Sequence, residues 1–242
     1  MKFLTLPSLI VLCLSGCTSA PEGATVHDPY EVDNRRIHTF NKSLTGSLGR
    51  EDGESRGPRI SPDIAVRVID FADNVALPSV VFNNVLQGDI GAAGTNTLRF
   101  AINTVFGVLG IWDPSDIIGL EEVEADFGQT LSVWGISEGA YLELPFVGPS
   151  TERNFAGDVV DALIDPLGWF LPEDQLILAS VGTIAGRVAK IDQVGDAIGD
   201  VLNESADSYV QARLIYLQNR RFELGIEATD VADPYDDLYG DQ

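Results

Sequence analysis

Beyond Cys17 no uncharged run in this chain is longer than about 14 residues, whereas a helix crossing about 30 Å of hydrocarbon needs roughly 20. The longest such runs, 75–88 and 100–112, are nevertheless more apolar than a surface helix of a soluble domain requires. These two facts favour helices that lie in or beside a membrane interface, or that line an apolar cavity, over helices that span. Burial in an ordinary core is the competing explanation.

The dominant period is helical. Over 62–76, Asp63, Arg67, Asp70 and Asn74 recur on one face and Ile64, Val68, Phe71 and Val75 on another. Ser61 is placed to cap this amphipathic helix, and Asp63 and Arg67 to pair across one turn. Pro78 is expected to break or kink it, with an apolar course resuming over 80–86 to a stop at Gly88. A second helix is predicted over 90–109, where Gly91, Ala92, Ala93, Gly94 and Ala101 leave room for another backbone or for a ligand. Shorter helices are expected over 126–134 and 151–163, the latter capped by Ser150 or Thr151. The alternation at 141–144 reads as a short strand or extended loop stopped by Pro145 and Pro149. The stretch 176–201, with Gly182, Gly186, Gly195 and Gly199, reads as a broken helix, and a last helix spans 206–223. Arg213, Arg220 and Arg221 on that helix are expected to pair with carboxylates, or failing that to meet a lipid headgroup or a partner.

The N-terminus carries an address. Lys2 begins a positive n-region, an apolar run of about a dozen residues follows, and Leu14-Ser15-Gly16-Cys17 closes it. The small residue precedes the cysteine and branched Leu14 sits three before it, the pattern of a bacterial lipobox. Residues 1–16 are therefore read as a lipoprotein signal peptide and Cys17 as the lipidation site, with acyl chains enough for stable anchoring. Thr18 rather than Asp follows, which points to the outer membrane. Residues 17–28 read as lipidated cysteine and flexible tether, and 226–242, acidic and without a basic residue, as a solvated tail. The other cysteine, Cys13, leaves with the leader, so no thiol remains for a disulfide, a metal site or catalysis. A formal charge of −22 repels phosphate backbones and argues against nucleic acid.

Catalytic chemistry finds little support. Gly135-Ile136-Ser137-Glu138-Gly139 fits the nucleophile-elbow pattern, yet the two histidines, His27 and His38, lie about 100 residues before the serine instead of after it. Ser137 is better read as a turn residue. Asp126-Phe127-Gly128 lacks the phosphate loop and catalytic loop that would make it a kinase magnesium motif. No metal-ligand spacing occurs, and no cofactor is implied. His27 falls in the tether; His38, beside Ile37 and Phe40, reads as a solvated or packed imidazole.

Read in order, Asp28-Pro29-Tyr30-Glu31, Asn34-Arg35, Phe40-Asn41, Asn83-Asn84, Leu86-Gln87-Gly88-Asp89, Arg99-Phe100 and Asn103-Thr104 form a spaced series. It is densest over 107–113 and 126–131 and continues through Gly135, Gly139, Tyr141-Leu142, Leu144-Pro145, Gly148-Pro149-Ser150, Arg153, Gly157 and Asp161. Over residues 28–222 this series resembles the MlaA (VacJ) family of outer-membrane lipoproteins. The resemblance implies a mostly α protein: a single ring-shaped helical domain over 29–225 with a short β-hairpin or extended loop around 139–148 and an amphipathic central channel. It further implies a non-enzymatic component, on the periplasmic side of the outer membrane, that removes mislocalised phospholipid from the outer leaflet and passes it to a periplasmic carrier protein. Trimeric porins are the implied membrane partners, and an ATP-driven inner-membrane transporter lies downstream. The segment 46–60 departs from the family, as does Ala140 where proline is common.

Among the motif residues, Asn34, Asn41, Gln87, Gly88, Asp89, Arg99, Asn103, Asp126, Gly128, Arg153, Asp158 and Asp161 are candidates for structural or channel roles. Asp89 and Arg99 are expected to form a buried pair that fixes the turn at Gly88. Leu142, Leu144, Phe146 and Val147 are candidates for a channel-side loop by family analogy. The alternatives to lipid transport are an envelope scaffold that moves no lipid and an esterase using Ser137.

Overall fold

The computed structural model describes residues 26–45, 61–164 and 166–226; Cys17, the leader, the segment 46–60 and the acidic tail lie outside these. The chain is mostly helical with one small sheet. Helix α1 spans Glu31–Thr45, with Glu31 and Asp33 in its first turn and Lys42 in its last, each favourable to the helix dipole. The long α2, Pro62–Gln87, starts with Pro62 in the first turn and ends at Gly88, whose left-handed φ of 81° lets its N–H reach Val85 O.

Aspartates open the elements that follow. Asp89 accepts from Ala92 N at the head of α3 (Ile90–Val105), Asp113 from Asp116 N at the short α4 (Pro114–Ile117), and Asp126 from Gln129 N at α5 (Phe127–Val133). Strands β1 (Tyr141–Leu144) and β2 (Gly148–Thr151) pair antiparallel with Tyr141 opposite Thr151. Then come α6 (Glu152–Ile164), the short α7 (Leu167–Phe170), α8 (Glu173–Glu204) and α9 (Ser208–Glu223), which Asp207 caps through Tyr209 N and Val210 N.

Among the described residues two apolar clusters hold the fold. One joins Phe127 and Leu131 of α5 to Val160 of α6, with Leu86 and Ile136 against it; the other packs Tyr141 of β1 on Tyr209 and Leu217 of α9. Helices α2 and α8 meet through glycine. A Cβ on Gly182 would stand 2.3 Å from Phe71 Cε1, and one on Gly186 2.3 Å from Ala72 Cβ, so only hydrogen fits at either position.

Several sequence expectations are revised. Helix α2 runs through Pro78 without ending, and α8 is one unbroken helix, in which Gly182 and Gly186 are seats for α2 rather than breaks. Arg67 pairs with Asp70 at 2.8 Å, not with Asp63, and Ser61 makes no side-chain cap. The predicted faces of α2 are partly exchanged: Asn74 is buried while Ile64 is exposed. Helix α3 stops at Val105, and 106–109 turn away from its axis. Pro149 does not stop the sheet but lies within β2, facing Glu143. Residues 26–28, read as tether, are docked: Tyr141 N donates to His27 O at 2.8 Å.

Candidate functional site

Helices α2 and α3 and the segment 106–125 between α3 and α5 are built the wrong way round for a protein surrounded by water. Along α3 the buried residues are Ala92, Ala93, Asn96, Arg99 and Asn103, and on the facing side of α2 they include Asn74, Asn83 and Asn84. Most of their polar groups find partners inside, with Asn74 Oδ1 and Arg99 Nε left without one among the described residues. Asn96 is fully buried and donates to Asn84 Oδ1 and to Val123 O, both at 2.8 Å. Arg99 donates to Leu120 O and to Asp113 Oδ2 at 2.5 Å. Asn103 Oδ1 accepts from Ser115 N at 3.1 Å and from Ser115 Oγ at 2.8 Å. On the other flank Asn74 donates to Leu109 O at 3.3 Å and Arg67 to Ile111 O at 3.2 Å. A buried polar group without a partner costs about 1–3 kcal/mol, so this ladder fixes the 106–125 segment in one conformation. Burial pushes the Asp113 carboxyl up, but the Ser115 hydroxyl, the Asp116 N–H and the Arg99 charge together outweigh it and hold the group below the usual carboxylate range.

The outside of the same region is largely apolar, interrupted by the exposed acids Asp63, Asp116, Glu121 and Glu124. Leu98, Val105, Phe106, Val108, Leu109, Trp112, Ile117 and Ile118 are exposed, Ile117 to 85%. Val108 and Leu109 stand at φ 54° and 59°, a left-handed conformation that bulky residues rarely adopt. Their neighbours are fitted to the bend: a Cβ on Gly107 would lie 2.1 Å from Trp112 O, and one on Gly110 2.3 Å from Asn74 Cβ. Strained backbone thus holds large apolar side chains outward.

A second polar cluster lies where α2 meets α5 and α6. Thr130 Oγ1 contacts Asn83 Oδ1 at 3.0 Å and accepts from Gln87 Nε2 at 3.1 Å; Asp161 accepts from Asn83 at 2.8 Å and from Phe127 N at 2.9 Å. Burial raises the Asp161 carboxyl against the pull of those two donors. Asp126, besides capping α5, pairs with Arg220 at 2.7 Å, and Arg221 pairs with Glu138 at 2.8 Å. Arg213 pairs with Asp28. The arginines of the last helix are thus engaged by carboxylates. Buried Arg153 donates to Ile136 O at 3.1 Å, and its charged form is disfavoured by burial.

The third polar site surrounds the hairpin. Asn34 donates to Asp28 Oδ1 and Tyr141 O and accepts from Glu143 N, which ties α1 to β1 and to the chain before α1. Glu143, fully enclosed, accepts from Tyr141 OH at 2.5 Å and lies 3.4 Å from His38 Nδ1, while His38 Nε2 is 3.2 Å from Ser208 Oγ. Burial, then the Glu143 carboxylate, raise the Tyr141 phenol. Asn41 accepts from Phe146 N at 2.9 Å and donates to Leu144 O at 3.0 Å.

The sequence-derived candidates therefore fall into three groups. Arg99 and Asn103 join the first, Gln87, Asp126 and Asp161 the second, Asn34 and Asn41 the third. Asp89 does not pair with Arg99; it caps α3, and Asp113 takes its place because the chain folds back after Val105. Gly88 is a helix stop, and Gly128 lets α5 touch α6, where a Cβ on Gly157 would stand 2.3 Å from Gly128 N. Asp158 is exposed on α6. Leu142 and Leu144 are half-buried, while Phe146 and Val147 project from the hairpin. Ser137 follows α5 in irregular chain, not on a strand-to-helix turn, so the elbow geometry an esterase requires is missing there. Asn96, Ser115 and Glu143 escape the sequence reading, and Asn74 enters it only as part of a polar helix face. For Asn96 the signal existed, since Asn96, Arg99 and Asn103 form a polar stripe on an otherwise apolar helix.

Comparison with known proteins was decisive for the family. The model of the MlaA lipoprotein family matches residues 26–223. The chain is 30% identical to the intermembrane phospholipid transport system lipoprotein MlaA of Shigella flexneri over 219 residues, covering 89% of this chain and 84% of the other. Its counterpart in Escherichia coli (strain K12) is 29% identical with the same coverage. An uncharacterised protein of Rickettsia prowazekii (strain Madrid E) is 31% identical over 191 residues, 78% of this chain and 74% of the other. A chain solved for the "structural basis for maintenance of bacterial outer membrane lipid asymmetry" superposes with a TM-score of 0.68 at 26% identity, covering 81% of this chain and 98% of that one.

Proposed function

This chain belongs to the MlaA lipoprotein family, and from that premise we propose that it is the outer-membrane lipoprotein of a phospholipid transport system. In this reading lipid on Cys17 holds it to the periplasmic side of the outer membrane. It removes mislocalised phospholipid from the outer leaflet and passes it to a periplasmic carrier, with trimeric porins as its neighbours in the membrane. It does so without covalent chemistry, as a route and not as an enzyme.

One observation carries the reading: the inverted distribution of polarity over α2, α3 and 106–125. Exposing that many large apolar side chains to water forfeits about 25 cal/mol per Å² of apolar surface, and burying asparagines in their place gains nothing comparable. In hydrocarbon the same arrangement is favourable. Among the described residues no helix is long and apolar enough to cross a membrane, so the segment would rest within one leaflet. A ring of such helices around an amphipathic channel would offer acyl chains an apolar wall and the headgroup a polar one. Arg99, Asn103, Asp126, Arg153 and Asp161 are engaged by backbone and by neighbouring side chains; their role in this scheme is to hold the walls in place.

Two measurements test it. Cells lacking the protein should accumulate phospholipid in the outer leaflet; unchanged asymmetry in the deletion would overturn the reading. Lipid mass spectrometry on the detergent-extracted protein should find phospholipid bound, whereas a scaffold that moves no lipid would carry none.

A further inference from the structure

The hairpin that joins β1 to β2 ends in the uncharged run Leu144-Pro145-Phe146-Val147-Gly148-Pro149. Phe146 and Val147 at its turn are 75% and 70% exposed, and Phe40 of α1 meets Phe146 edge-on with ring centres 5.3 Å apart. Phe146 has a φ of 67°, costly for an aromatic residue, and is kept there by Asn41, whose side chain binds Phe146 N and Leu144 O from outside the turn. A floppy loop would need no such clamp. Exposed Lys42 follows Asn41, beside this apolar tip.

The position of the tip relative to the anchor follows from covalent geometry. His27 is pinned to Tyr141 at the start of β1, and the five steps from Tyr141 to Phe146 span about 17 Å. Nine Cα-to-Cα steps separate Cys17 from Val26, a reach of at most about 30 Å. A lipid on Cys17 therefore keeps the hairpin end of the domain within one tether length of the leaflet, close enough for the tip to enter it. The tip carries no acid that would resist entry, and the ammonium of Lys42 can rise to phosphate level while its stem lies along apolar surface.

We propose that the Phe40–Phe146–Val147 tip is a second, preformed point of insertion into the lipid surface, separate from the apolar region at 106–118, so that the domain is held at two places and its tilt is set. The inference rests on lipidation at Cys17. The acyl chains on Cys17 suffice for anchoring by themselves, and what the tip adds is a fixed orientation of the domain at the surface.

The test uses the mature, lipidated full chain in vesicles of phosphatidylethanolamine and phosphatidylglycerol. With Cys17 acylated, a Val147→Cys substitution supplies the thiol for an environment-sensitive fluorophore at the tip. Emission should fall about twofold when the vesicle lipids carry bromine on their acyl chains, as expected for a probe within hydrocarbon. Protein that floats with the vesicles while its emission ignores the bromine would overturn the proposal and leave the surface to a protein partner. Protein that fails to float, with no acyl mass on Cys17, would overturn the anchoring reading and this proposal with it.

Discussion

The α2–α3–106–125 region and the α1–β1–α9 region both bury polar side chains, but for opposite reasons. In the second, the buried groups surround an ordinary aromatic cluster of Tyr141, Tyr209 and Tyr216, and the flanking helix face carries the exposed charges Asp33 and Arg36. In the first, asparagine, arginine and serine share the interior with alanine and Leu77, while valine, leucine, isoleucine and tryptophan make up most of the exterior. In both regions side chains grip backbone as well as one another; the second adds the Asp28–Arg213–Tyr209 triad, where the Arg35 and Arg213 guanidiniums also lie over the Tyr209 ring. The contrast teaches that one chain can be fitted to two surroundings, and that burial alone does not say which is which.

Four substitutions would break or sharpen that contrast. The largest effect is expected in the α1–β1–α9 region, where Asp28→Ala leaves the Arg213 guanidinium buried without its carboxylate, a loss of about 3–5 kcal/mol. Denaturant unfolding of the detergent-solubilised protein measures it, and Asp28→Ala with Arg213→Met should recover part of the loss. Next, Gly110→Ala places a methyl against Asn74 at a φ of 89° and should cost about 3 kcal/mol, with the loss of native fluorescence from nearby Trp112 marking release of the bend.

Smaller and pH-dependent is Asp113→Asn, at about 2 kcal/mol near neutral pH. Because the folded carboxyl titrates below its unfolded value near 3.9, its stabilisation is complete above that value and is lost as pH falls through the folded one. Unfolding curves of variant and wild type should therefore converge toward acid pH and separate above about pH 4. The smallest is Arg36→Ala. Its pair with Asp33 is nearly three-quarters exposed, and a change beyond about 0.5 kcal/mol would mean that this helix face is not in water.

Much of this architecture was legible in the chain. Gly88 stops α2, the strand at 141–144 is where the alternation puts it, and the arginines of α9 meet carboxylates. The misreadings share a physical cause. Periodicity assigns the polar face of a helix to solvent, so Asn74 was sent outward and Ile64 inward, the reverse of what a polar interior requires. Asp89 was paired with Arg99 because nothing in local sequence announces that the chain after Val105 folds back to offer Asp113. Gly182 and Gly186 read as breaks in the sequence because the partner that needs them, α2, lies more than a hundred residues earlier.

That glycine seat limits how the molecule can open. With Gly182 against Phe71 and Gly186 against Ala72, sliding α8 along α2 by one turn would drive side chains into spaces that admit only hydrogen. Shear between the two helices is therefore blocked, and a widening of the domain has to swing them together as a single beam about hinges elsewhere in the chain.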